Sequence, residues 1–283
     1  MRGVRRGRST SVLVAGVLLA AALAGCVPQH PAPEAHPTSS RHRSPSPTAT
    51  ATPTAPLVAS PPPAAATSPY PWHHGIVSTT FWVGEIFDPS AADGSQVIST
   101  YDSDWLGSFG GCDGVARSGS CETEARSPAN GWFPTSMTPR QNPFYLDLPY
   151  DDINDPSGFA QRGAVIPWAH TPPYSAHAGD DGFSYLKNRW VELQRNGRTC
   201  YGQIEDAGPG EYQDATYVFG ASDARPANKR YGGAGMDVSP ALTGCLAFPE
   251  LDGTSGVVDW RFVEAGQVPA GPWTRLVTTT GVR

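Results

Sequence analysis

Hydrophobic positions beyond residue 71 come in short bursts. No stretch there keeps a 3.6-residue period over helix length; runs of β-branched and aromatic residues alternate with clusters of Gly, Pro, Asn and Asp. That patterning predicts an all-β domain. The candidate strands are 77–83, 144–148, 190–194, 198–204, 217–219, 235–238, 258–263 and 274–278. Arg195-Asn196-Gly197 separates two of them, and Asn-Gly supplies the positive φ angles of a tight hairpin turn. Ser239 followed by Pro240 predicts an N-cap and first turn of a short helix over 240–242. The chain shows no internal repeat.

The first 70 residues follow other rules. Arg2, Arg5, Arg6 and Arg8 precede an apolar run over 11–22, too short for a membrane span and in keeping with an export signal. The run ends in Leu23-Ala24-Gly25-Cys26, which resembles the lipobox of bacterial lipoproteins. That resemblance implies a signal peptide over 1–26, a lipid on Cys26, and a mature chain anchored in the bacterial cell envelope on its extracytoplasmic face. Residues 27–70 hold twelve prolines among Ala, Ser and Thr and few large apolar side chains, a composition that builds no core. As extended polyproline II such a tether reaches roughly 130 Å. Residues 71–283 are expected to form one domain.

Charge narrows the partners. The first 70 residues carry six Arg and one Glu, which leaves 14 basic and 25 acidic side chains beyond them, a balance of −11. So acidic a domain argues against nucleic acid and anionic membrane surfaces and favours a neutral glycan or a cationic partner. Cys112, Cys121, Cys200 and Cys245 in an exported domain predict two disulfides. Of three pairings, Cys112–Cys121 is favoured because it closes a Gly/Ser-rich loop, with Cys200–Cys245 tying a strand to the segment after Asp237. No Cys-x-x-Cys spacing points to zinc, and no metal or cofactor is expected. His73-His74 and the acidic run Asp151-Asp152 through Asp155 are expected to be solvated.

Two aspartates stand where apolar strands meet turns: Asp206-Ala207-Gly208-Pro209 and Gly235-Met236-Asp237-Val238-Ser239-Pro240. A carboxylate there is costly unless paired, hydrogen-bonded or used in chemistry. Asp237 is expected at a strand end just before the short helix, Asp206 at the lip of the sheet. Glu205, of opposite strand parity, is expected to be solvated, though it remains a candidate base beside Asp206. Trp82, Trp105, Trp132, Tyr201 and Tyr212 are candidate sugar-stacking rings, whereas Trp190, Trp260 and Trp273 are expected to fill core.

The segment 190–242 resembles the core of double-psi β-barrel proteins of the rare lipoprotein A, expansin and barwin group. Arg195-Asn196-Gly197-Arg198, Asp206-Ala207-Gly208-Pro209 and Asp237-Val238-Ser239-Pro240-Ala241 match in order and spacing the hairpin, the Asp-x-Gly-Pro strand end and the Asp-Leu-Ser helix start of that group. Outside it, Thr79-Thr80-Phe81-Trp82, Gly110-Gly111-Cys112-Asp113-Gly114 and the segment 259–263 are weaker matches. The resemblance implies a six-stranded double-psi β-barrel with long loop insertions and one or two short helices. It also implies a monomeric domain that acts on a polysaccharide, peptidoglycan or β-glucan, with Asp237 as the general acid. Asp206, Asp113 or Glu205 would then be the base. The histidine that precedes the hairpin in the rare lipoprotein A transglycosylases has no counterpart: the region reads Asp180-Asp181-Gly182-Phe183-Ser184-Tyr185, and His177 is out of register. Lytic transglycosylase and endoglucanase-like hydrolysis therefore both stay open. So do a non-catalytic, expansin-like wall-loosening module and a protein-interaction or inhibitor module.

Overall fold

The structure, a computed structural model, describes residues 68–91, 94–251 and 256–283. The signal segment, Cys26 and the tether through residue 67 lie outside the described residues. In chain order the strands are β1 (His73–Thr80), β2 (Val115–Arg117), β3 (Ser120–Glu122), β4 (Tyr145–Leu148), β5 (Trp190–Arg195), β6 (Arg198–Ala207), β7 (Met236–Val238) and β8 (Gly256–Val263). The helices are α1 (Trp105–Phe109), α2 (Pro156–Val165), α3 (Ala215–Val218) and α4 (Pro240–Cys245), with four 3₁₀ turns between or after them. Among the described residues no helix is long and apolar enough to cross a membrane.

Six strands close a barrel in the order β1-β7-β4-β6-β5-β8, and β2 with β3 forms a separate hairpin. The barrel is mixed. β1 pairs parallel with β7 and β4 parallel with β6, while the β4–β7, β5–β6, β5–β8 and β1–β8 seams are antiparallel. Parallel neighbours need long crossover connections, and the segments between β1 and β7 and between β4 and β6 supply them. The antiparallel β5–β6 pair needs only two residues: Arg195 faces Arg198 across Asn196 (φ 48°) and Gly197 (φ 76°), both positive as this tight turn demands.

Alternation along the strands fills the barrel with Leu146, Leu148, Val191, Leu193, Ile204, Met236, Val238, Val258 and Trp260, all at most 1% exposed. Trp190 and Trp273 join this core as expected. Helix α4 lies against β6, where a Cβ on Gly202 would come within 2.9 Å of Leu242 Cδ1. Ser239 caps α4 by accepting the Leu242 N–H, with Pro240 in the first turn. Both favoured disulfides are present: Cys112–Cys121 ties the loop before β2 to β3, and Cys200–Cys245 ties β6 to the end of α4.

Several expectations are overturned, each for a tertiary reason. Residues 217–219 lie in or just beyond α3 rather than a strand, because Asp214 caps a helical turn there and the Tyr217 hydroxyl is needed at the Trp260 indole, 2.8 Å away. Residues 274–278 form no strand. Gln203 of β6 instead clamps Thr278 at both backbone groups, accepting its N–H at 2.9 Å and donating to its carbonyl at 3.0 Å. The ten-residue α2 was hidden by a weak apolar period; Asp155 starts it by accepting the N–H groups of Ser157 and Gly158. The Asp151–Asp155 run is no solvated turn: Asp152 is fully buried and accepts from Ser184 Oγ and Tyr185 N. Glu205 is buried too, in an ion pair with Lys187 at 2.7 Å. His73 is not solvated but stacks on Trp260 with ring centroids 4.2 Å apart, and burial pushes its pKa down to about 4. Ser68 and Tyr70, counted with the tether, hydrogen-bond the Phe262 carbonyl and Glu264 respectively.

Candidate functional site

Three neighbouring strands, β7, β4 and β6, each bring one aspartate to the same region of the barrel. Asp237 is the middle residue of β7, paired with Thr79 of β1. Asp206 is the penultimate residue of β6 and faces Asp147 of β4 in the parallel register. Asp147 bridges the other two, for its Oδ1 accepts the Asp237 backbone N–H at 2.7 Å. The register of β4 against β6 slips between Leu146 and Asp147, so that Glu205 is skipped and Asp206 becomes the partner. Adjacent strands lie about 4.8 Å apart, close enough for three carboxyl groups to feel one another.

The Gly-Pro after Asp206 has a steric reason. A Cβ on Gly208 would stand 2.7 Å from Asp147 Oδ2, so only glycine lets the β6 turn pass over that carboxyl group. On the other side, the Ser239 cap begins α4 directly after β7 and holds the chain that carries Asp237.

The proton affinities of the three diverge. Asp206, 6% exposed, accepts the N–H groups of Thr100 (2.7 Å) and Ala207 (2.8 Å); burial raises its pKa to about 6 against the pull of those donors. Asp237 is raised further, to about 8, by burial first and then by the charges of Glu85 and Asp206. Its Oδ1 is enclosed without a hydrogen-bond partner, the condition of a carboxyl group kept neutral. Asp147 is also held far above the ordinary carboxylate range by burial and by its two acidic neighbours. All three carboxyl groups therefore hold their protons to higher pH than an ordinary aspartate, Asp206 less than Asp237. Asp147 is 3% exposed, whereas Asp237 is only partly buried as a residue.

Beside the cluster runs an open groove of about 410 Å³, walled by Asp206 and Ala207, by Thr100 and Ile98, and by Asp151, Asn154 and Tyr212. Asp206 is the cluster member on its wall; Asp237 is not. Phe87, Ile98 and Tyr212 line the groove and keep 54%, 39% and 42% of their surface exposed, so it has apolar lips over a polar floor.

The other candidates lie elsewhere. Asp113 is fully buried, with one carboxylate oxygen on Arg126 Nη2 at 2.6 Å and the other on the Tyr145 hydroxyl at 2.8 Å; both oxygens are engaged in holding the β2–β3 hairpin to the barrel. Trp105 sits in the core against Tyr145 and Phe81. Trp82 is buried with its indole N–H on the Cys121 carbonyl, and Tyr201 is 9% exposed and packed on Trp273. These three rings are buried rather than forming a platform, Trp105 in a separate cluster with Phe81, Phe109 and Tyr145, and Trp132 is partly buried against the core that holds Tyr201. Tyr212 alone of the proposed rings borders the groove. His177 pairs with Asp180 at 2.9 Å and stacks on Phe183. Among the described residues no group of three or more His, Cys, Asp or Glu is arranged to hold a metal ion.

Asp147 is the member that sequence reasoning missed. Its signal was a charged residue inside the apolar run Phe144-Tyr145-Leu146-Asp147-Leu148, where no turn explains it. Comparison of the chain with protein-family models, with curated proteins and with solved structures finds no match in any of the three.

Proposed function

We propose that the barrel acts on a polysaccharide, with Asp237 as the general acid in glycosidic-bond cleavage and Asp206 as its ionised partner. The observation that carries this reading is the Asp147–Asp206–Asp237 cluster, in which neighbouring carboxyl groups have proton affinities pushed apart. Asp237 would give its proton to the leaving oxygen. Asp206 would take a proton from the attacking water, or from a hydroxyl of the sugar itself in the lytic variant. Asp147 is a positioning group that holds the Asp237 backbone. The groove beside Asp206, with Tyr212 and Phe87 on its lips, suits the apolar face of a sugar ring.

The double-psi assignment belongs to the same proposal. It is supported by the two parallel seams, β1–β7 and β4–β6, within a mixed six-stranded barrel, and by the three sequence motifs falling on the β5–β6 hairpin, the end of β6 and the β7–α4 junction. The lipobox-like Leu23-Ala24-Gly25-Cys26 supports an envelope location.

The test is release of soluble fragments from peptidoglycan and β-glucans by the wild type and by Asp237→Asn. Loss of at least 100-fold in rate is expected, with the variant still folding cooperatively. Fragment masses one water lighter than hydrolysis products would mark the lytic route. The second reading, an expansin-like module that binds without cutting, is favoured by the absence of Asp237 from the groove wall. It takes over if the wild type releases nothing while both proteins are retained on the polymer.

A further inference from the structure

A second concavity, of about 430 Å³, opens between the Gly75-Ile76-Val77 stretch of β1 and the loop over 225–233. Its lining includes Arg225 and Lys229, and Arg230 lies next along the loop. Three cations within six residues are unusual in a domain whose balance is −11. Arg225 is matched by Asp223 at 2.6 Å and by the His74 carbonyl. Lys229 and Arg230, both exposed, have no acidic partner among the described residues; Arg230 Nη2 instead bonds the Gly210 carbonyl at 3.2 Å. The wall of this concavity thus carries Lys229, with Arg230 beside it, neither matched by an acidic group among the described residues.

Its place in the fold matters as much. The loop runs straight into β7, so Lys229 is eight residues before Asp237 in a chain that turns at Gly232 (φ 69°) and Gly233 (φ 80°). Val77, on the opposite wall, accepts the Gly235 N–H, and Thr79 two residues further along β1 pairs with Asp237. The bond from Arg230 to Gly210 fastens the same loop to the turn that follows Asp206. The cationic wall therefore adjoins both strands that carry the candidate acid and base. Asp223 and Asp259 stand at its other side, where Asp259 accepts from Gly75 N and pairs with His74, so the acidic groups nearby are already engaged.

We propose that this concavity is a subsite for an oxyanion, and that the glycan handled by the barrel carries carboxylate or phosphate substituents recognised by Lys229 and Arg230. Ammonium and guanidinium donors bind both groups by charge-assisted hydrogen bonds. The glycan half of the statement rests on the function proposed above; the oxyanion half does not.

The experiment is calorimetric titration of the 68–283 region within the full exported chain at pH 7 and low salt. The probes are an oligogalacturonide (carboxylate), a phosphorylated dextran fragment (phosphate) and a neutral cello-oligosaccharide of matched length. At least tenfold tighter binding of one charged probe than of the neutral one is expected, weakening as salt is raised. Which charged probe binds tells carboxylate from phosphate. The preference should vanish in Lys229→Gln/Arg230→Gln and persist in Asp237→Asn. Equal affinity for charged and neutral probes, no binding of any probe, or an unchanged preference in the double variant overturns the subsite. Should Arg230→Gln disturb folding through Gly210, the single change Lys229→Gln, at an exposed side chain, is expected to lose at least threefold of the preference, and no loss overturns it as well. Charged-probe binding that survives without any fragment release would retire the cleavage reading and leave the subsite standing.

Discussion

Burial raises the pKa of both Asp237 and Asp206; the charges of Glu85 and Asp206 raise Asp237 further, while two backbone N–H groups hold Asp206 lower. The raised pKa values carry a consequence for stability. The folded pKa of Asp237, about 8, lies above the ordinary aspartate value of 3.8. Between those values the folded state keeps a proton that the unfolded chain releases, so this group's contribution is fully present below the unfolded pKa and is lost as pH rises through 8. Asp206, raised to about 6, acts in the same direction over a narrower window. The wild-type melting temperature is accordingly expected to fall from pH 5 to pH 8.5 more steeply than that of Asp237→Asn. At pH 8.5 the variant should be the more stable by on the order of a few degrees. Parallel curves in thermal scans would show that Asp237 is not held neutral. The proposed chemistry adds an activity profile that falls above about pH 8, where the acid ionises, and below about pH 6, where Asp206 takes a proton.

At the scale of elements, the parts legible in the sequence were those whose cause is local. Asn196-Gly197 has one comfortable backbone solution, and Ser239-Pro240 starts a helix by its own hydrogen bond. The parts that were not legible depend on distant partners. The 274–278 segment has strand-like residues, yet its backbone is satisfied by a side chain from β6 rather than by a ladder. Gln203 holds Thr278 on both sides and also accepts from Asn142 Nδ2 at 2.9 Å, closing a buried polar knot. Gln203→Ala is expected to strand a buried N–H, a carbonyl and an amide together and to cost about 2–4 kcal/mol, read as a shift in the denaturation midpoint at constant slope. A loss below about 0.5 kcal/mol would mean that water replaces the clamp. Likewise α2 and α3 start at Asp155 and Asp214, aspartates that look like loop residues until their N–H partners are seen.

At the scale of the molecule, closure of the barrel does the assembling. Closure brings residues 147, 206 and 237 together across neighbouring strands, and the C-terminal residues lock the rim beside them. Arg283 donates its N–H to the Tyr101 carbonyl and accepts from Ser103 N, on the segment whose Thr100 N–H holds Asp206. Under the proposed envelope location, the Pro-rich segment and Cys26 would set where that barrel is delivered. If Cys26 carries the lipid, Cys26→Ser is expected to move the protein from the membrane fraction to the soluble fraction, without changing fragment release by the purified domain. Retention in the membrane after the substitution would remove the anchor from the proposal.

What the sequence by itself determined is what acts over a few residues: strand alternation, the hairpin turn, the α4 cap, two disulfide partners and the two motif aspartates. Each follows from backbone preferences or short loop closure, which need no knowledge of the rest of the chain. Tertiary structure alone decided which polar groups share a space. It set Asp147 between Asp206 and Asp237, took Asp113, Trp82, Trp105 and Tyr201 into buried contacts, and left Lys229 and Arg230 without acidic partners. Those outcomes depend on strand order, on one slip of register between β4 and β6 and on the path of two crossovers, and electrostatic environments form only once those are fixed.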